Sequence, residues 1–321
     1  MILPKFNKIA SYLAMTFRVL FRYCEVRSSL LLILLFSGCG QNTPTHTDTP
    51  TSGVVNISAD DSFKPIIDAE IQVFQMLYPN TEIKVHYTSE DSVLHDLNTG
   101  SSRLIAISRK LTKNEEDYFK AKTLAPEQVK VAVDALALIV NTDNPDTSIS
   151  YNKIVAIFTG KDSLWSNPEM GRMSVVFDHE NSGNSRYIRD SIIHGKRFPD
   201  YCFAVNSNTQ VIDFVSKNKN ALGIIGVNWV SNDYDSTVVG FLNKVKVVRV
   251  SSTSGNYYQP YQAYMQEGYY PLCRDLYFIN CEPYTGLASG FLSFVASEKG
   301  QRIILREGIL PATVPTQVIG F

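Results

Sequence analysis

The chain has 321 residues, 44% of them hydrophobic, with 30 Lys and Arg against 31 Asp and Glu and a formal net charge of −1. That balance excludes a basic nucleic-acid surface, while the apolar share is sufficient for a sizeable buried core. The five His and five Cys fall at no metal-ligating spacing, so neither a metal site nor a cofactor is expected.

At the N-terminus, Lys5, Lys8, Arg18, Arg22 and Arg27 precede the apolar run from Leu30 to Phe36. The run is too short to span a bilayer and has the length of a secretory-signal core. It ends in Phe36-Ser37-Gly38-Cys39, which resembles a bacterial lipobox, whose Cys takes lipid and becomes the first mature residue. Residues 1–38 are therefore read as a lipoprotein signal, Cys39 as a membrane anchor, and residues 39–53, rich in Thr, Pro, Asn and Ser, as a flexible tether. Loss of the signal leaves 25 basic and 30 acidic side chains. Roughly 270 folded residues exceed one ordinary core, so two lobes are expected.

Val54 to Ser58 reads as a strand, and apolar residues from Phe63 to Leu77 recur at helical spacing behind Ser62 as N-cap, with Pro65 in the first turn. Strand Glu82 to His86 leads through Tyr87 and Ser89 into a helix ending near Leu97. Strand Leu104 to Ile107 runs into Ser108-Arg109 and the Thr112 cap of an acidic-fronted helix. Strands alternating with helices predict a mostly parallel sheet with ligands at the strand ends. The apolar run Val129 to Val140, interrupted only by Asp134, is too continuous for an exposed strand and marks the path out of the first lobe.

A second α/β unit follows: helix Ser150 to Phe158, strand Met173 to Phe177, a helix after Asn181, helix Asn208 to Ser216 and strand Leu222 to Gly226. Tyr270 to Ile279 reads as a strand returning to the first lobe, and two helices between Thr285 and Glu307 complete it. The lobes are thus expected at 54–136 plus 271–321 and at 137–270. Two crossovers suit a hinged clam-shell. Of Cys202, Cys273 and Cys281, Cys273 with Cys281 is one available disulfide pair, fixed by no sequence rule.

The most informative stretch is Val175 to Arg189, where an apolar strand breaks into Asn181-Ser182-Gly183-Asn184 and continues as a helix. Ser182 and Gly183 place a hydroxyl and backbone N–H groups at a helix start, where an anion completes them. An ordinary cap has the same residues. Three earlier strands also end in Ser-bearing turns, which favours the anion.

The order of segments, with Asp61-Ser62-Phe63, Ser89 to Val93, Ala106-Ile107-Ser108, Asn181 to Asn184, Ala221 to Gly226 and Gly300 to Ile304, resembles the phosphate-binding proteins of bacterial ABC-type uptake systems, members of the periplasmic binding protein superfamily. The resemblance covers residues 54–321. It implies a two-lobed α/β fold, each lobe a mostly parallel sheet flanked by helices. It also implies a monomeric, non-enzymatic receptor on the extracytoplasmic side that passes phosphate to a permease driven by an ATPase. Matching the family's contacts position by position nominates Ser62, Phe63, Ser89, Ser108, Ser182, Gly183 and Asn184 as ligand-binding.

Two positions depart from the family reciprocally. Its Ser-Asp after the third strand is Ser108-Arg109 here, and its Arg four residues before Ser-Gly-Thr is Asp178. An exchange of partners is therefore expected: Arg109 supplies the guanidinium, Asp178 accepts a proton-bearing phosphate oxygen, and the two meet at the ligand. Asp60 and Asp61 read as polar caps, His179 as a loop side chain, Asp134 as a hinge hydrogen-bonder, and the tyrosines between 257 and 270 as rim packing. The alternatives are a receptor for another oxyanion or a phosphate ester, and a lipid-anchored serine hydrolase or phosphatase. Against the latter, the chain carries no Gly-x-Ser-x-Gly elbow.

Overall fold

The computed structural model describes residues 47–251 and 255–313. The expected signal, Cys39 and most of the expected tether lie outside them. The tether reading fails at its far end. Asp48 is buried and accepts hydrogen bonds from Arg103 Nη2 (2.9 Å), Tyr284 Oη (2.6 Å) and the Leu287 N–H (2.8 Å), so the chain is fixed five residues before the first strand. Among the described residues no helix is long and apolar enough to cross a membrane.

The first part runs β1 (Gly53–Asp60), α1 (Lys64–Leu77), β2 (Thr81–Thr88), α2 (Glu90–Thr99), β3 (Leu104–Ile107), α3 (Lys113–Ala121) and β4 (Glu127–Asn141). Strand β1 lies between β2 and β3, parallel to both. Local chemistry sets the boundaries. Gly100, at φ +76°, closes α2, and Thr112 with Glu115 forms a reciprocal capping box on α3. One expected cap is corrected. Asp60, not Ser62, caps the chain after β1, because its carboxylate accepts the Ser62 N–H at 2.9 Å and draws Asp61–Phe63 into a single 3-10 turn before α1.

The second part comprises β5 (Ser148–Ser150), α4 (Tyr151–Phe158), β6 (Ser174–Phe177), α5 (Gly183–Tyr187), β7 (Cys202–Ala204), α6 (Asn208–Lys217), β8 (Ala221–Gly226), α7 (Ser236–Leu242), β9 (Val245–Val247), β10 (Arg249–Ser251), β11 (Tyr257–Tyr258) and α8 (Gln262–Gln266). The chain returns through β12 (Cys273–Asn280), α9 (Leu287–Ala296), α10 (Glu298–Arg306) and β13 (Leu310–Pro311). Strands β6, β7 and β8 are mutually parallel neighbours around β6.

The long β4 joins the two halves. Its first stretch pairs antiparallel with β12, and its last residues pair antiparallel with β8 and β9. Residues Leu136 to Val140 are fully buried, because sheet neighbours and helices cover both faces, which accounts for the unbroken apolar run. The fold is the two-lobed α/β architecture expected, with β4 and β12 as antiparallel insertions in otherwise parallel half-sheets. Cys273 and Cys281 are free. Cys273 opens the extended β12 and Cys281 follows its last residue, so they stand about 26 Å apart at a strand's rise per residue, far beyond disulfide reach.

Candidate functional site

The C-terminal ends of β1, β3 and β6 converge, and each delivers a turn with hydroxyl and amide donors. After β1, Asp60 accepts from the Ser62 N–H and hydroxyl through Oδ1 and from the Gly183 N–H through Oδ2 (2.7 Å). One carboxylate thus joins the first half-sheet to the start of α5. The neighbouring Asp61 makes a second crossing, accepting from Asn208 N and Nδ2 at 3.0 and 2.9 Å. The Ser62 carbonyl makes a third, accepting from Asn228 Nδ2 and Trp229 Nε1.

After β3, Ser108 donates its N–H (3.2 Å) and Oγ (2.7 Å) to Glu90 Oε2. Arg186 of α5 reaches the same carboxylate through Nε at 2.5 Å, and its Nη2 lies 2.7 Å from Ser108 Oγ. Burial pushes the Glu90 carboxyl up, but Arg186 and Ser108 outweigh it and hold it below the ordinary glutamate range.

After β6, Asp178 accepts from Ser182 Oγ (2.6 Å), Asn184 Nδ2 (3.0 Å) and Asn208 Nδ2 (3.2 Å). These partners are neutral, and burial with the nearby Asp60 raises its pKa to about 7. Asp60 itself is raised by burial and by Glu90.

Arg274 of β12 lies at the centre. Its Nη2 donates to Ser62 Oγ and to Asp134 Oδ2, both at 2.9 Å, its Nε donates to Asp134, and its guanidinium covers the Phe63 ring at 4.6 Å. Its Nη1 is buried without a hydrogen-bond partner. A Cβ placed on Gly183 would lie 2.7 Å from Ser108 Oγ, 3.0 Å from Glu90 Oε2 and 3.2 Å from Arg274 Nη1. Only glycine fits at 183, because a hydroxyl, a carboxylate and an unsatisfied guanidinium N–H converge on the point a side chain would take, a close-packed cradle rather than an open cavity.

The nominated residues fall into three groups. Ser62, Ser108 and Gly183 line the converging donors, with Phe63 packed beneath Arg274. Ser182, Asn184 and Asp178 form the adjoining layer. Ser89 stands at the N-cap position of α2 without a side-chain capping bond and pairs instead with the Ser92 hydroxyl at 3.0 Å, outside the cluster. The expected Arg109–Asp178 pair does not form: Glu90 and Glu115 engage Arg109 (3.2 and 2.8 Å), while Asp178 is held by Ser182 and two asparagines. The cations of the cluster are instead Arg186 and Arg274.

Both were legible in part. Arg274 is the charged residue on the inward-facing Arg274-Leu276-Phe278 alternation of β12, and Arg186 stands four residues after Ser182, one helical turn on. Among the described residues no group of His, Cys, Asp and Glu could hold a metal ion.

A family model described as the PBP superfamily domain matches residues 44–299. The phosphate-binding protein PstS of Pseudomonas aeruginosa is 24% identical over 280 residues, covering 81% of this chain and 83% of its own length. PstS of Bacillus subtilis is 23% identical over 307 residues, covering 89% and 95%. A Clostridium perfringens protein described as a phosphate ABC transporter substrate-binding protein, solved with phosphate, superposes with a TM-score of 0.67 at 23% identity over 81% of this chain and all of its own. An ABC-type phosphate transport receptor from Vibrio cholerae superposes at 0.58 with 21% identity over 81% of this chain and all of its own.

Proposed function

The chain belongs to the PBP superfamily, and from that premise we propose that it captures inorganic phosphate between two lobes and delivers it to an ABC importer. The lobes are 54–136 plus 271–321 and 137–270, the molecule acts as a monomer, and lipid on Cys39 holds it on the extracytoplasmic side of a membrane. The relatives named phosphate-binding proteins support the ligand class. The observation that carries the reading is the buried, unpartnered Nη1 of Arg274 facing the Gly183 cradle beside the Ser108 hydroxyl. A guanidinium with flanking hydroxyl and amide donors suits a tetrahedral oxyanion.

Asp60, Glu90 and Asp178 surround these donors, and Glu90, held charged, favours an anion that brings a proton of its own. A carboxylate accepts from a phosphate hydroxyl and repels sulfate, which has no proton at neutral pH. Within this reading Ser62, Ser108, Gly183, Arg186 and Arg274 supply donors and Asp178 accepts. Ser182 and Asn184 orient Asp178, Phe63 supports Arg274, and Arg109 holds Glu90, with Ser89 outside the cluster.

The protein is proposed to bind rather than catalyse. Ser62, Ser108 and Ser182 each donate to a carboxylate, and among the described residues none bonds to a histidine that could activate it. Titration of the purified protein with phosphate, sulfate and simple phosphate esters tests the reading. Saturable binding of phosphate with no response to sulfate is expected, and preference for another ligand overturns it.

A further inference from the structure

We propose that Glu90 is a built-in anion that latches the two half-sheets together by taking the donors meant for phosphate, so that phosphate binds by displacing it. The inference rests on the phosphate reading above for the identity of the displacing ligand.

A glutamate in the first turn of a helix already gains from the helix dipole while remaining in water. Glu90 instead turns inward and is about 1% exposed. Its two oxygens accept from the Ser108 N–H and hydroxyl, from Arg109 Nε and from Arg186 Nε and Nη2. Hydroxyl, amide and guanidinium are the donor classes that hold a phosphate oxygen, and a planar carboxylate satisfies the same fork. Ser108 and Arg109 belong to the first half-sheet and Arg186 to α5 of the second, so the carboxylate spans the two.

Two further observations fit displacement. Glu90 Oε2 lies 3.0 Å from the point over Gly183 that is also 3.2 Å from the unpartnered Arg274 Nη1. An anion seated there must contend with Glu90 for Ser108 and Arg186. The departing carboxylate also has somewhere to go. Arg109 Nε lies 3.2 Å from Oε1, is more exposed than Glu90, and is itself anchored by Glu115 at 2.8 and 2.9 Å. Glu90 can thus rotate toward solvent while keeping one cation, and one anion replaces another at Ser108 and Arg186 with little change in local charge. The other crossings, Asp60 to Gly183 and Asp61 to Asn208, pair a carboxylate with neutral donors. Glu90–Arg186 is the ionic one among these crossings.

The test combines solution scattering with titration calorimetry on the wild-type protein, Glu90→Gln and Glu90→Ala. Wild-type protein without phosphate is expected to scatter as the closed form, with a radius of gyration that phosphate leaves unchanged. Glu90→Ala is expected to be larger without phosphate and to contract on binding it. Glu90→Gln is expected to bind phosphate about tenfold more tightly, a gain of ~1.4 kcal/mol. A wild-type protein that is open before phosphate is added overturns the latch without recourse to any variant. Unchanged binding by Glu90→Gln also overturns it, and weaker binding overturns it and makes Glu90 a ligand contact instead. If Glu90→Ala opens but no variant binds phosphate, the latch stands and the phosphate reading falls.

Discussion

Glu70 and Glu90 stand on consecutive helices, α1 and α2, each about 1% exposed, and end in opposite charge states. Neither oxygen of Glu70 has a hydrogen-bond partner, and burial together with the carboxyl of Glu307 pushes its pKa to about 9. Glu90 has two guanidinium groups and a serine, and is held below its usual range. Two other acids complete a series. Asp178, with neutral donors, is raised to about 7, and Asp48, paired with Arg103 and accepting from Leu287 N–H and Tyr284, is lowered to about 2 despite its burial. Among these four acids the partners set the direction of the shift, whereas at Asp134 burial outweighs even the Arg274 guanidinium and the carboxyl is raised. The charged Glu90 lies where the half-sheets meet, whereas the neutral Glu70 lies on α1 near Glu307.

The contrast can be broken most strongly at Arg274. Arg274→Met strips Asp134 of its cation and leaves a buried carboxylate in the condition of Glu70, so a loss of about 3–5 kcal/mol in urea unfolding is expected. The reverse experiment is Glu70→Met. An acid protonated in the fold up to about pH 9 but ionising near 4.5 when unfolded contributes stability that is complete below pH 4.5 and drains away as pH rises to 9. Glu70→Met is therefore expected to be more stable than wild type by about 1–3 kcal/mol at pH 8, with a flatter pH dependence above 5. Equal stability at pH 8 would show that Glu70 has a partner in solution.

Asp178 tests the middle of the series. Asp178→Asn keeps the Ser182 and Asn208 neighbours but removes the acceptor for a phosphate proton, so the preference for phosphate over sulfate is expected to fall about tenfold in competition calorimetry. The smallest effect is expected at Asp48. Asp48→Asn retains the acceptor for Leu287 but loses the ion pair, costing about 1 kcal/mol at pH 7. The wild-type advantage should disappear as pH falls from 4 through about 2, the sign for a carboxyl whose folded pKa is depressed.

How far the sequence leads differs between backbone and site for a physical reason. Hydrophobic period and capping residues act locally, so Leu104–Ile107, the Thr112 cap and the crossover β4 were legible within a residue or two. Ser62, Ser108 and Gly183 were nominated by the resemblance, because hydroxyls and glycine at strand ends serve an ordinary helix cap equally well. The expected Arg109–Asp178 pair does not form, because pairing depends on which cation reaches across between the half-sheets, a matter of tertiary distance. Glu115, six residues after Arg109, engages it locally and leaves the crossing to Arg186. Asp60 reads as a cap and is one, but its second oxygen bonds to Gly183, 123 positions later. Asp48 fell in a stretch whose composition suggests a tether, and a single buried ion pair overrides composition there.

The central claim is that a phosphate is held over Gly183 beside Arg274, Ser108 and Ser62. Calorimetric titration of phosphate into wild-type protein and Gly183→Ala, side by side at neutral pH, tests it most directly, because the added methyl enters within 2.7 Å of Ser108 Oγ and 3.2 Å of Arg274 Nη1. Saturable phosphate binding by wild type and its loss in a Gly183→Ala protein that melts normally is the expected result. Equal binding by the two proteins would contradict the account.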